Sequence, residues 1–110
     1  MPDILSTLVP QHPRLFLPAG EEQRIRDTIA SDPLAASYFA ALQAEGEHML
    51  QAPPIEHKLV GREPTYMYML SESRRCVDHI HTLALLHRLT GEPRWAERAI
   101  FDMLTAARMA

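Results

Sequence analysis

"HRLTGEPRWAERA", His87 to Ala99, decides the fold class. Leu83, Leu86 and Leu89 run up to it as one apolar stripe, and Trp95, Ala99 and Ile100 lead away from it as another. Gly91 and Pro93 stand between the two. Glycine reaches the left-handed backbone conformation that closes a helix C-terminus. Proline suits the first position of a new helix, where its missing N–H costs nothing. The stretch therefore predicts the tight joint of an antiparallel helical hairpin.

Behind the joint, Cys76, Val77, Ile80, Leu83 and Ala84 predict a helix over about Glu72 to Thr90, capped by Ser71. Leu85, Leu86 and Leu89 widen its stripe, so it is expected to be covered on more than one side. Ahead of the joint, Trp95, Ala96, Ala99, Ile100, Met103 and Ala107 predict the buried face of a last helix that Pro93 begins. Upstream, Glu21 and Glu22 suit the first turn of a short helix over Ala19–Ala30, with Ile25 and Ile29 on one face. "SDP" then breaks the chain: Asp32 is an N-cap and Pro33 a first helical residue. The helix it starts runs to about Gln51, with Ala35, Tyr38, Phe39, Leu42, Gly46, Met49 and Leu50 as its stripe, and Pro53 and Pro54 end it.

Two segments resist a helical reading. Residues 1–18 carry Pro2, Pro10, Pro13 and Pro18, which predicts an extended strap whose "RLFL", Arg14 to Leu17, packs on the body. Residues 52–70 read as an irregular, partly extended connection, and a connection of that length is usually functional or lies against another part of the protein. The expected class is thus all-α, with a strap at 1–18 and helical hairpins over 19–110. The expected core is Trp95, Ile80, Val77, Leu83, Phe39, Leu42 and Ile100. Such hairpins leave apolar surface uncovered, so the expectation is the front of a longer helical protein or a subunit of an oligomer.

The 110 residues are 46% hydrophobic and 23% charged, a globular composition. The net charge of −3 comes without a basic stripe, which argues against a nucleic-acid surface. No apolar run approaches a membrane span of roughly 18 residues. "MPDILSTLVP" lacks the basic start and apolar stretch of a signal peptide, leaving cytoplasm and periplasm both open. The lone Cys76 permits no intramolecular disulfide.

Six histidines invite a metal, yet none are paired at i,i+4, and His79 and His81 diverge on a helix, so no metal or cofactor is expected. Cys76 and His79 share a helical face, but a nucleophile also needs an orienting group and an oxyanion hole, so Cys76 reads as a small core residue. Trp95 reads as core rather than as a sugar platform, and Asp78 beside Arg74 and His81 as a solvated face. The connection offers more. Arg62 can clamp a carboxylate through two parallel bonds, and Tyr66 and Tyr68 add stacking faces and hydroxyls. These three are the candidate substrate-binding residues.

Three stretches together resemble the N-terminal region of the heparinase II/III family of polysaccharide lyases, which includes oligoalginate lyases. They are "HPRLFLPAGEEQRIRDTIASDP" (12–33), "LSESRRCVDHIHTLALLHRLTG" (70–91) and "EPRWAERA" (92–99). Pro18 replaces the Thr or Ser usual before the first helix, which touches capping only. The resemblance implies the first hairpins of an (α/α) toroid, followed downstream by the rest of the toroid and a β-sandwich domain. It implies an acidic polysaccharide as partner, cleaved by β-elimination. The family's catalytic Asn, His and Tyr motifs would lie beyond Ala110, so no catalytic residue is carried over. A helical-repeat interaction module without catalysis is the rival expectation. The starts Asp32-Pro33 and Glu92-Pro93 are 60 residues apart, which suits long hairpins better than repeats of about 34 residues.

Overall fold

Helix starts and stops are where the sequence acts most directly. In the computed structural model, Asp32 accepts a hydrogen bond from Leu34 N–H at 2.9 Å through its side chain, and Pro33 follows as the first helical residue. At the other joint Gly91 adopts φ +74° and its N–H donates to His87 O at 2.7 Å. The Thr90 hydroxyl accepts from Glu92 N–H at 3.2 Å, and Pro93 restarts the helix. Residues 5–8, 10–13, 15–56 and 65–108 are described, with the backbone alone for 65–69.

Every regular element among these residues is a helix, so the fold is all-α. The elements are α1 (Glu22–Ser31), α2 (Pro33–Gln51), α3 (Thr65–Thr90) and α4 (Pro93–Ala107). Asp32 alone separates α1 from α2, and Gly91 and Glu92 alone separate α3 from α4. The third helix packs against each of the other three and is the axis of the assembly. Its 26 residues make it about 39 Å long at roughly 1.5 Å per residue.

Two boundaries differ from expectation. The first helix starts at Glu22, three residues late, because Gly20 at φ +90° is not helical. The third starts at Thr65, not after Ser71, so Ser71 is an interior residue and "TYMYML" belongs to the helix rather than to the 52–70 connection. Nothing in "TYMYML" forbids a helix, and its run of methionine and leucine extends one readily.

The core is Leu83, Leu86, Trp95 and Ala99, with Phe39, Leu42, Met49 and Leu50 packed half-buried against it. Gly46 is the notch that makes this possible. A Cβ there would lie 2.3 Å from Leu86 Cδ1 and 2.8 Å from Trp95 Cζ3, so α2 comes this close to the others only because it has no side chain at this position. Trp95 Nε1 is buried without an acceptor. Such an orphan costs about 1–3 kcal/mol. Burying roughly 200 Å² of indole contributes about 5 kcal/mol, so packing wins.

Val77 and Ile100 were expected in the core and are instead 54% and 50% exposed; Ile80 is half-buried. The seam is rotated from the apolar stripe. On α3 the buried positions are Glu72, Cys76, His79, Leu83, Leu86 and Leu89, and on α4 Trp95, Ala99 and Asp102. Both follow steps of four and three residues, the spacing of two helices packed along one seam. Polar side chains occupy three of those positions, so a reading by hydrophobicity alone turns each helix away from its true face.

The strap also departs from expectation. Leu15 and Phe16 are exposed, and Phe16 sits at φ +52°, which an aromatic residue adopts only under strain. The strap is held through its backbone instead. Arg88 donates to the carbonyls of Leu17 and of Pro18 (3.1 Å) and to the Glu22 carboxylate. In return Arg26 donates to Arg88 O and Leu89 O at 3.4 and 3.3 Å, covering the carbonyl end of α3.

Gly46→Ala should lower stability by about 1–3 kcal/mol through overpacking, read from the midpoint of urea unfolding. Gly91→Val should cost about 1 kcal/mol or more by a different route, since its Cβ meets no neighbour and only the positive φ is strained. An unchanged midpoint for either would contradict the corresponding account. Acid provides a third check. Its own backbone N–H and then the Arg88 guanidinium hold the Glu22 carboxyl below its ordinary value of 4.5. A lowered folded value means that the contribution is complete above the unfolded value and is lost as pH falls through the folded one. The stability gap between wild type and Glu22→Gln should therefore be full at neutral pH and close below about pH 4.5.

Candidate functional site

Arg62 lies outside the described residues. Tyr66 and Tyr68 fall on the first turns of α3, so they stand on a helix and not on the loop that the sequence suggested; their side chains are outside the description. The polar centre that is described lies elsewhere, at the seam between α3 and α4.

Asp102 is fully buried. Its Oδ2 lies 2.8 Å from Nδ1 of His79, which is itself 4% exposed, and its Oδ1 accepts from Arg98 Nε at 3.1 Å. Arg98 and Asp102 are one turn apart on α4, while His79 comes from α3. Arg98 reaches onward, donating to Leu50 O at 3.2 Å and Pro53 O at 3.3 Å, so the end of α2 is tied into the same centre. Arg75 completes the grip from α3: it donates to Pro53 O at 2.8 Å, Pro54 O at 3.0 Å and the buried Glu72 carboxylate at 2.9 Å. That carboxylate also accepts Glu56 N–H at 2.7 Å. These carbonyls follow the last turn of α2, where helical partners run out, and two arginines supply the missing donors.

A carboxylate only accepts, so the hydrogen bond assigns the proton between His79 and Asp102 to Nδ1. In the neutral ring Nε2 is then an acceptor. Nε2 has no protein partner among the described residues, and the sole buried side-chain nitrogen or oxygen without one is Trp95 Nε1. His79 Nε2 therefore reaches solvent. The ring borders a cleft of about 430 Å³ between α2 and α3, shared with Glu45, His48, Met49, Arg75 and Asp78.

Cys76 does not pair with His79; its Sγ lies 4.0 Å from the Asp102 carbonyl oxygen. Burial first, and the negative charge of Asp102 second, push its thiol above the usual value. A nucleophilic cysteine needs the opposite shift. His81, two residues from His79, is on the other side of α3, its ring 6.5 Å from that of Phe16. Among the described residues no three His, Cys, Asp or Glu side chains are placed to hold a metal ion, and no helix is long and apolar enough to cross a membrane.

Asp102, Arg98, Arg75 and Glu72 drew no notice in the sequence. The signal was there: Arg98 and Asp102 at i,i+4, Glu72 and Arg75 at i,i+3, with Glu72, His79 and Asp102 falling in step with the buried apolar positions. No known family, curated protein or solved structure matches the chain.

Replacing Asp102 by Ala leaves the buried His79 without its acceptor and the Arg98 guanidinium with backbone carbonyls alone, and removing one partner from such a centre costs about 3–5 kcal/mol. Glu97→Gln, an exposed change on the same helix, should stay within about 0.5 kcal/mol. Cys76 should react with a thiol reagent slowly at pH 8 in the native protein and rapidly after unfolding; equal rates would contradict its burial.

Proposed function

We propose that this chain is a scaffold unit of an (α/α) toroid belonging to a lyase that cleaves uronic-acid polysaccharides by β-elimination. The observation that carries a scaffold role is the shape of the helical layer. Its radius of gyration is 17.7 Å, against about 13 Å for a globule of this length, and its smallest extent is 23 Å. That thickness is about two helices. Ile100, Phe101, Met103 and Leu104 form an outer apolar face on α4, each at least 43% exposed. A further helical layer laid on such a face would bury it, as in a toroid that continues around its axis. The three sequence stretches that resemble the heparinase II/III family supply the lyase half of the reading.

Elimination requires a group that neutralises the uronate carboxylate, a base that takes the C5 proton, and an acid that protonates the leaving glycosidic oxygen. The C4–O bond breaks as the C4=C5 double bond forms. In this reading those groups belong to the rest of the toroid, with Arg62, Tyr66 and Tyr68 holding substrate at its rim. The Asp102 centre keeps the hairpin rigid and takes no part in the chemistry.

The test is the rise in ultraviolet absorbance from the unsaturated product, with alginate and heparan sulfate as parallel substrates. The natural protein that contains this segment should give the rise, and the 110 residues alone should not. Arg62→Ala in that protein should raise KM more than it lowers kcat, because a contact made equally in ground and transition states acts on binding. Activity from the 110 residues alone would overturn the scaffold role. An inactive natural protein on every uronate polymer would favour the helical-repeat interaction module.

A further inference from the structure

We propose that the outer face of α4 pairs with the same face of a second copy of this chain, the two helices lying antiparallel about a two-fold axis. The inference is independent of the lyase reading, and a later hairpin of the same protein seated on α4 is its rival. It starts from the order of side chains along the face. Glu97, Phe101, Leu104 and Arg108 follow one another at steps of four, three and four residues, so they form one stripe, with Ile100 beside it. All five are exposed. The stripe lies opposite the seam of Trp95, Ala99 and Asp102 that faces α3. Alternating steps of four and three are the spacing with which two helices pack side by side, and α4 carries that spacing on both of its faces.

Charge selects the partner and its direction. Arg94 is spent on Glu47 and Glu92, and Arg98 on Asp102. Neither Glu97 nor Arg108 takes an ion pair or a side-chain hydrogen bond among the described residues. The midpoint of Glu97 and Arg108 along the helix falls between Asp102 and Met103, and so does the midpoint of Phe101 and Leu104. A two-fold axis through that point sets Phe101 of one copy against Leu104 of the other, and with the same register sets Glu97 against Arg108, each contact being made twice. A parallel pair would instead set glutamate against glutamate and arginine against arginine. The end charges therefore fix the direction, while the apolar centre of Ile100, Phe101 and Leu104 supplies the attraction. A two-fold pair uses the face on both copies and closes on itself, so assembly stops at the dimer. One helix face against another buries roughly 1,000 Å² or less, the size of a weak interface, so the dimer is expected at micromolar concentrations and above.

The test is sedimentation equilibrium of the full chain from low-micromolar to near-millimolar protein. The wild type should pass from monomer to dimer and go no further. Leu104→Glu should remove the dimer and keep the helical circular dichroism, since that side chain is exposed in the single copy. Glu97→Arg and Arg108→Glu should each raise the dimer dissociation constant about tenfold, because like charges then meet at both ends of the stripe. An equimolar mixture of these two variants should dimerise as tightly as the wild type, since opposite charges again face each other across the axis. A chain that stays monomeric throughout, leaving α4 to a later hairpin, would overturn the proposal. So would a larger assembly, a dimer indifferent to Leu104→Glu or to the charge reversals, or a mixture no tighter than its components.

Discussion

The described fold hangs on one buried carboxylate. Asp102 has no exposure to water and two polar partners, one from the neighbouring helix and one from its own. A lone carboxylate in that position would be expensive enough to exclude the packing altogether. With His79 and Arg98 in place it becomes a constraint. Sliding α4 by one turn, about 5.4 Å, would separate Asp102 from His79 and leave both unpaired in the seam. The apolar residues nearby tolerate such a slide far better, because Leu83 and Leu86 can exchange one greasy neighbour for another. The register of the hairpin is therefore set by the polar pair and its strength by the leucines and Trp95, a division known from helical pairs that carry a single buried polar residue.

Arginine carries the next level of organisation. Ten of the eleven Lys and Arg residues are arginine, and among the described residues Arg26, Arg75, Arg88 and Arg98 donate to backbone carbonyls. Each carbonyl group lies where a helix ends or a Pro-rich segment runs beside one. These are places where the backbone has acceptors left over and no amide to fill them. The planar guanidinium reaches two or three acceptors at once, which a lysine ammonium does less well. The chain thus replaces loop packing with donor forks, and segments such as Pro53–Glu56 and Leu17–Pro18 are held without burying many side chains.

Local chemistry made much of this legible. Gly91 and Asp32-Pro33 have one sensible backbone reading each, and both are where the sequence placed them. Trp95 and Leu83 in the core followed from size and spacing. What escaped was the orientation of α3 and α4. Hydrophobicity favoured Val77 and Ile100, and the structure buries His79 and Asp102 in the adjoining positions. A polar residue earns an interior place only through a partner far away in sequence, here 23 residues off, and no single-helix pattern contains that information. The same limit hid Arg75 and Arg98, whose acceptors at Pro53 and Leu50 become visible only once α2 lies against the hairpin. Ile100, displaced from the core, is part of the apolar exterior of α4 that the scaffold reading uses.

Rigidity and exposure are linked in this arrangement. A helix pair held by apolar contacts alone can rotate to hide an exposed apolar stripe, and Ile100 and Leu104 would turn inward at small cost. Rotation here would pull Asp102 from His79 and drive Trp95 out of the notch at Gly46, where no other side chain leaves room. Polar pairing on one side and a steric notch on the other thus hold the outer face of α4 outward. The same lock fixes the His79 ring, since the bond that sets the helix register also holds the imidazole through Nδ1. One buried interaction accordingly fixes both the register of the α3–α4 hairpin and the apolar face that α4 presents outward.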